Sequence, residues 1–153
     1  MELEPFSQEY TIEKKQEEYA QDNVFLLRDS EGNLVARHCI YPISNENVLN
    51  FFENRSNKIN IYRDYPVYGG YIESYQRGKG IGMKMWEYCE ADFFNSQDTS
   101  YLRFVFDADV ENKWTTRHVN RLIEELNRRG VPVRNLAQKT WAKKYMGILL
   151  FEK

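Results

Sequence analysis

Three glycines fall within the five residues Gly78-Lys79-Gly80-Ile81-Gly82, and the stretches on either side differ in character. From Ile59 to Ser74 the chain is rich in Tyr, Ile and Val, with Gly69-Gly70 inside it, a composition suited to a strand. From Gly82 to Phe94 the residues Met85, Trp86, Cys89 and Phe93 recur at helical spacing, while Lys84, Glu87 and Glu90 avoid that face. The junction therefore reads as a strand-to-helix turn, in which glycine lets the backbone turn tightly and approach a ligand without a side chain in the way. The first N–H groups of such a helix lack intrahelical partners and point back at the turn. With the helix dipole they make an anion site. Arg77 and Lys79 add positive charge, and a pyrophosphate suits the whole; a plain connecting turn is the alternative.

The spacing excludes two common phosphate-binding loops. Gly80 rather than Ser or Thr follows Gly78-Lys79, unlike a P-loop. The glycines run G-x-G-x-G, unlike the dinucleotide fingerprint.

Elsewhere, residues 7 to 22, rich in Glu, Gln and Lys, read as a helix. Val24 to Arg28 and Leu34 to Tyr41 form a hairpin about the turn residues Asp29 to Asn33. Ser44 caps a short helix carrying Val48, Leu49, Phe51 and Phe52. Tyr101 to Asp107 alternates as a strand. Thr115 or Thr116 caps a helix whose buried stripe is Val119, Leu122, Ile123 and Leu126, stopped by Gly130 with Pro132 behind it. Val131 to Leu136 and Tyr145 to Glu152 give two final strands. This is an α/β order, and 153 residues suit one domain. Cys39 and Cys89 have neither metal-type nor disulfide-framework spacing, and His38 and His118 add too little for zinc, so no metal is expected. No apolar run is long enough for a bilayer and none resembles a signal peptide, which gives the expectation of a soluble, cytoplasmic protein without a membrane partner.

The run Arg77-Gly78-Lys79-Gly80-Ile81-Gly82 resembles the acyl-CoA motif of the GNAT superfamily of N-acetyltransferases, R/Q-x-x-G-x-G/A, with Arg77, Gly80 and Gly82 matching position by position. The similarity extends from about Tyr68 to Asp107, with Ser74 standing where a proline is common. The resemblance implies a GNAT fold, one mixed, mostly antiparallel, splayed sheet flanked by helices. It implies acetyl-CoA as acyl donor and a primary amine of unknown substrate as acceptor. Gly70, Tyr71 and Ile72 would pair with the pantetheine arm. Arg77, Gly78, Lys79, Gly80, Ile81 and Gly82 would hold the pyrophosphate. A homodimer is compatible with these features. The pattern breaks after the fifth strand, where Ile123 occupies the place of the family's tyrosine acid. Three residues are left as catalytic candidates: Glu73 and Asp107 at strand ends as bases, and Tyr145 as a replacement acid. With so sparse an acid–base set, an acyl-CoA-binding or regulatory module is the alternative to an enzyme.

Charge is uneven within a net −2. Residues 1–31 carry −6 and residues 111–144 carry +6. The two stretches read as offsetting faces rather than a nucleic-acid footprint, because Glu124 and Glu125 interrupt the basic run. Random duplex DNA should therefore show no gel-shift at physiological salt and micromolar protein. A tight, steeply salt-dependent shift abolished by Arg117→Glu with Arg121→Glu would contradict this.

Overall fold

Tyr10–Gln16 is a strand, β1, where composition alone favours a helix. Seven residue pairs join it antiparallel to β2, Asn23–Asp29, from Tyr10 opposite Asp29 to Gln16 opposite Asn23. Pairing with a neighbour overrides the helical preference of Glu, Lys and Gln. Lys14 shows why a charged strand suits this edge: its Nζ lies 5.5 Å from the centre of the Phe25 ring and 2.8 Å from Asp92 Oδ2. The rest of the expected helix, and the other short gaps, fall outside the described residues. The computed structural model describes residues 9–16, 23–52, 57–75, 80–107, 112–141 and 144–153.

The remaining elements, in chain order, are β3 Leu34–Ile43, α1 Asn45–Phe52, a 3-10 helix Asn57–Tyr62, β4 Val67–Ser74 and α2 Ile81–Ser96. They are followed by β5 Tyr101–Asp107, α3 Asn112–Arg128, β6 Val133–Trp141 and β7 Lys144–Phe151. The strands form a seven-stranded mixed sheet in the order β1-β2-β3-β4-β5-β7-β6. β2–β3, β5–β7 and β6–β7 are antiparallel, and β4–β5 is parallel. A parallel pair needs a long crossover, and α2 lies in that connection. This is an α/β fold, as the element order implies. By contact it divides into two compact units, residues 1–41 with 70–97 and residues 42–69 with 98–153.

In the first unit, Phe25 lies opposite His38 and Leu27 opposite Ala36, so these four buried residues share one face of the β2–β3 hairpin. α2 buries Ile81, Met85, Cys89 and Phe93, as the spacing predicts, and leaves Lys84 exposed. Glu87 and Glu90, expected on its solvent side, are buried too. For Glu90 the reason is a polar setting: Trp86 Nε1 donates to its Oε1 at 3.2 Å, and His38 Nε2 lies 3.8 Å from the same oxygen. Such contacts offset the cost of taking a carboxyl group out of water.

In the second unit, Leu49, Phe52, Ile59, Tyr62, Val67, Leu102, Met146, Ile148 and Leu150 make one apolar cluster beneath α1 and the 3-10 helix. The strand expected from Ile59 begins only at Val67. Before it, Ile59 and Tyr62 are both buried, and their three-residue spacing is that of a 3-10 turn. α3 begins at Asn112, ahead of the expected threonine caps, and contacts β6 and β7. It buries Val119, Leu122 and Leu126, while Ile123 is only half-buried. Its end is well tied: Gly130 has φ 86°, Val131 N–H donates to Leu126 O at 2.8 Å, and the Asn127 amide both donates to and accepts from the Val133 backbone at 3.1 Å. β6 runs on to Trp141 through a shift of register between Asn135 and Ala137.

Leu126→Ala should cost about 2–5 kcal/mol in urea unfolding, and Ile123→Ala clearly less, because only the first leaves a closed cavity. Equal losses would show that Ile123 is as deeply packed as Leu126.

Candidate active site

The strand-to-helix junction lies within the first unit. β4 supplies Gly70, Tyr71, Ile72 and Glu73. Residues 76–79, which include Arg77, Gly78 and Lys79, lie outside the described residues. The chain resumes at Gly80, the N-cap of α2, with φ 67° and ψ 11°. This left-handed backbone favours glycine, although a Cβ built at Gly80 meets nothing within 4 Å; the angle, not crowding, selects the residue. Lys84 N–H donates to Gly80 O at 3.2 Å and closes the first turn. Among the described residues no side chain caps the helix, and the first amides of α2 face back toward the turn. Ile81 turns its side chain into the core and Gly82 has none, so neither obstructs a group seated on those amides. Positive backbone ends and a glycine cap suit an anion such as a phosphate ester.

Behind the turn, Tyr71 and Ile72 are 40% and 37% exposed, large apolar surfaces for residues in a strand. Tyr75 is 55% exposed, and its hydroxyl donates to Glu73 Oε2 at 2.8 Å. That bond, with a smaller effect of burial, raises the Tyr75 pKa above the usual tyrosine value. Burial, then the charge of Cys39, raises that of Tyr71. The Arg37 guanidinium lies 6.0 Å from the centre of the Tyr71 ring. Tyr75 N–H donates to Val35 O at 2.8 Å, which ties the end of β4 to β3.

The other two sequence candidates lie in the second unit and are strand neighbours. Asp107 stands opposite Tyr145 in the β5–β7 ladder. Asp107 is half-buried. Tyr145 is fully buried; its hydroxyl donates to Gln138 Oε1 at 3.2 Å, and burial raises its pKa. Its ring covers Gly147, where an added Cβ would come within 2.9 Å of the phenol oxygen. Among the described residues, no group of three or more His, Cys, Asp or Glu is placed to hold a metal, and no helix is long and apolar enough to cross a membrane.

Sequence reasoning passed over several polar residues. Arg37 gave no signal beyond its place in an alternating strand. Glu90 follows Trp86 by four positions, a spacing that could have suggested their hydrogen bond. Arg103 is buried, with Nη1 donating to Tyr68 O at 3.1 Å beside the β4–β5 ladder pair Tyr68–Arg103.

No family model matches the sequence, and no curated protein matches it. Among solved structures, the chain is similar to TofI in a ternary complex with an inhibitor and MTA (TM-score 0.49, 10% identity, 90% of this chain and 68% of that one). It is also similar to the histone acetyltransferase HPA2 and related acetyltransferase from Corynebacterium glutamicum (0.45, 15%, 86% and 64%). A third is the aminoglycoside N(6')acetyltransferase from Legionella pneumophila (0.41, 12%, 85% and 63%). The chain spans about two thirds of the length of these proteins.

Acetyl-CoA is expected to raise Tm; Gly80→Ala should lower stability by roughly 1–2 kcal/mol through its left-handed backbone alone and keep that rise. Gly80→Glu, which sets a carboxylate before the helix amides, should abolish that rise while its circular dichroism stays native. An undiminished rise in the Glu variant would remove the turn from the binding site.

Proposed function

We propose that this chain is a GNAT-type N-acetyltransferase that moves an acetyl group from acetyl-CoA to a primary amine. The observation that carries the proposal is the start of α2 at left-handed Gly80, which lies within the Arg77–Gly82 sequence match. In this reading the amides from Gly80 onward, with Arg77 and Lys79, hold the pyrophosphate, and the backbone of Gly70, Tyr71 and Ile72 holds the pantetheine arm. When bound, acetyl-CoA supplies a thioester, an acyl group with a good leaving group.

The chain's own task is then proton handling. An ordinary alkylammonium, with a pKa of about 10.4, must lose a proton before its nitrogen can attack. Glu73 is the assigned acceptor of that proton, directly or through one water, and Tyr75 fixes the carboxylate with its 2.8 Å hydrogen bond. The nitrogen lone pair forms the C–N bond, the C–S bond breaks with its electron pair leaving on sulfur, and the nitrogen's second proton passes through water to the thiolate. The products are an amide and a free thiol, with one proton released from the ammonium. No step is assigned to Asp107 or Tyr145.

Glu73→Gln should lower kcat about a hundredfold or more with an unchanged Tm rise from acetyl-CoA. Thiol release followed across an amine panel checks this. A Tm rise with no amine-dependent thiol release from the wild type would instead favour a binding module, for which the aliphatic Ile123 on α3 already speaks.

A further inference from the structure

The side chains at the end of β4 say what kind of amine suits Glu73. Tyr71, Glu73 and Tyr75 stand at alternate positions, and alternate side chains of an extended chain share a face. Tyr75 N–H still bonds across to Val35 O on β3, so the extended run continues past the last residue of β4. The 2.8 Å bond from the Tyr75 hydroxyl to Glu73 Oε2 lays that phenol against the carboxylate. Burial first, then the charges of Cys39 and Glu73, raise the Tyr71 pKa, which sets Glu73 within electrostatic reach of the other phenol too. One carboxylate is thus flanked along the strand by two tyrosines, all within one unit. Both rings are exposed, Tyr75 more than Tyr71, and the Tyr71 ring already carries the Arg37 guanidinium 6.0 Å from its centre.

We propose that this face is the acceptor subsite and that it takes an arylalkylamine, a primary ammonium on a short chain from an aromatic ring. The inference rests on the proposed transfer and names its acceptor class. Glu73 takes the ammonium. A carboxylate has two oxygens and accepts several hydrogen bonds, so the Tyr75 bond leaves capacity for it. The ligand's ring stacks on Tyr75, because one aromatic ring gains more from another than from a saturated ring of the same size. Successive positions on one face of a strand lie about 7 Å apart, a span that the ring and a link of roughly two carbons bridge. Tyr71 flanks the carboxylate on its other side. β4 carries one carboxylate, so one ammonium is matched and a second finds no partner on that strand. A plain alkylamine satisfies Glu73 but leaves the exposed ring surface in water.

The test is isothermal titration of the intact protein, with and without coenzyme A, which has no acyl group to transfer. Phenethylamine is compared with cyclohexylethylamine and with phenethyl alcohol. It should bind about tenfold tighter or more than the alcohol, the usual cost of losing a hydrogen bond to a charged group. It should bind about threefold tighter or more than the cyclohexyl amine, the usual gain from an aromatic pair. Tyr75→Leu should erase the preference for the phenyl over the cyclohexyl amine while Tyr75→Phe keeps it, and Glu73→Gln should erase the preference over the alcohol. No binding of phenethylamine, or phenyl and cyclohexyl amines bound equally by the wild type, would overturn the proposal, and that comparison stands even if a variant misfolds. The Tm rise from acetyl-CoA, measured in parallel, separates the two failures. A missing rise sinks the transferase reading, whereas a rise without the aromatic preference sinks the acceptor class alone.

Discussion

The left-handed backbone at Gly80 is the constraint on which the first unit's chemistry depends. It lets the chain leave the end of β4 and enter α2 with no side chain at the cap. Another residue type would pay the left-handed penalty, and a capping Ser or Asp would fill the place where an anion can sit. The helix dipole and uncapped amides are then fixed features of the backbone, which need no reorganisation when a phosphate arrives.

A helix end can serve as a binding site only if the helix is held. The polar contacts of α2, buried at Glu90 and exposed at Asp92, do this. Glu90 receives the Trp86 indole and faces His38 on β3, and Asp92 pairs with Lys14 on β1. Polar groups buried together are directional in a way that apolar packing is not, so they set the rotation of the helix as well as its closeness to the sheet. On the same strand His38 faces the helix, while Arg37 lies over the Tyr71 ring of β4.

Much of this was legible in the sequence where local rules agree. The β2–β3 hairpin, α1, α2, β5 and β7 follow from turn residues, caps and strong periodicity. The glycine turn was legible because left-handed backbone and close approach both require glycine. β1 was hidden because Glu, Lys and Gln favour a helix, and only the neighbouring strand makes Tyr10–Gln16 extended. Glu87 and Glu90 were misplaced because periodicity ranks side chains by polarity, whereas a carboxyl group with polar partners can be buried. Of the site, Glu73 was visible by its position. Glu73 and Tyr75 stand two positions apart and bond locally, but the contact of Arg37 with the Tyr71 ring depends on how β3 and β4 meet, which no local pattern encodes. Asp107 and Tyr145, singled out separately, turn out to be neighbours across β5 and β7.

The central claim is that acetyl-CoA seats its pyrophosphate on the start of α2. A crystal structure of the protein with acetyl-CoA tests this most directly. The account predicts phosphate oxygens within hydrogen-bond distance of the backbone N–H groups of Gly80 to Gly82 and the pantetheine arm along Gly70 to Ile72. A pyrophosphate bound elsewhere, with those amides still facing solvent, would contradict it.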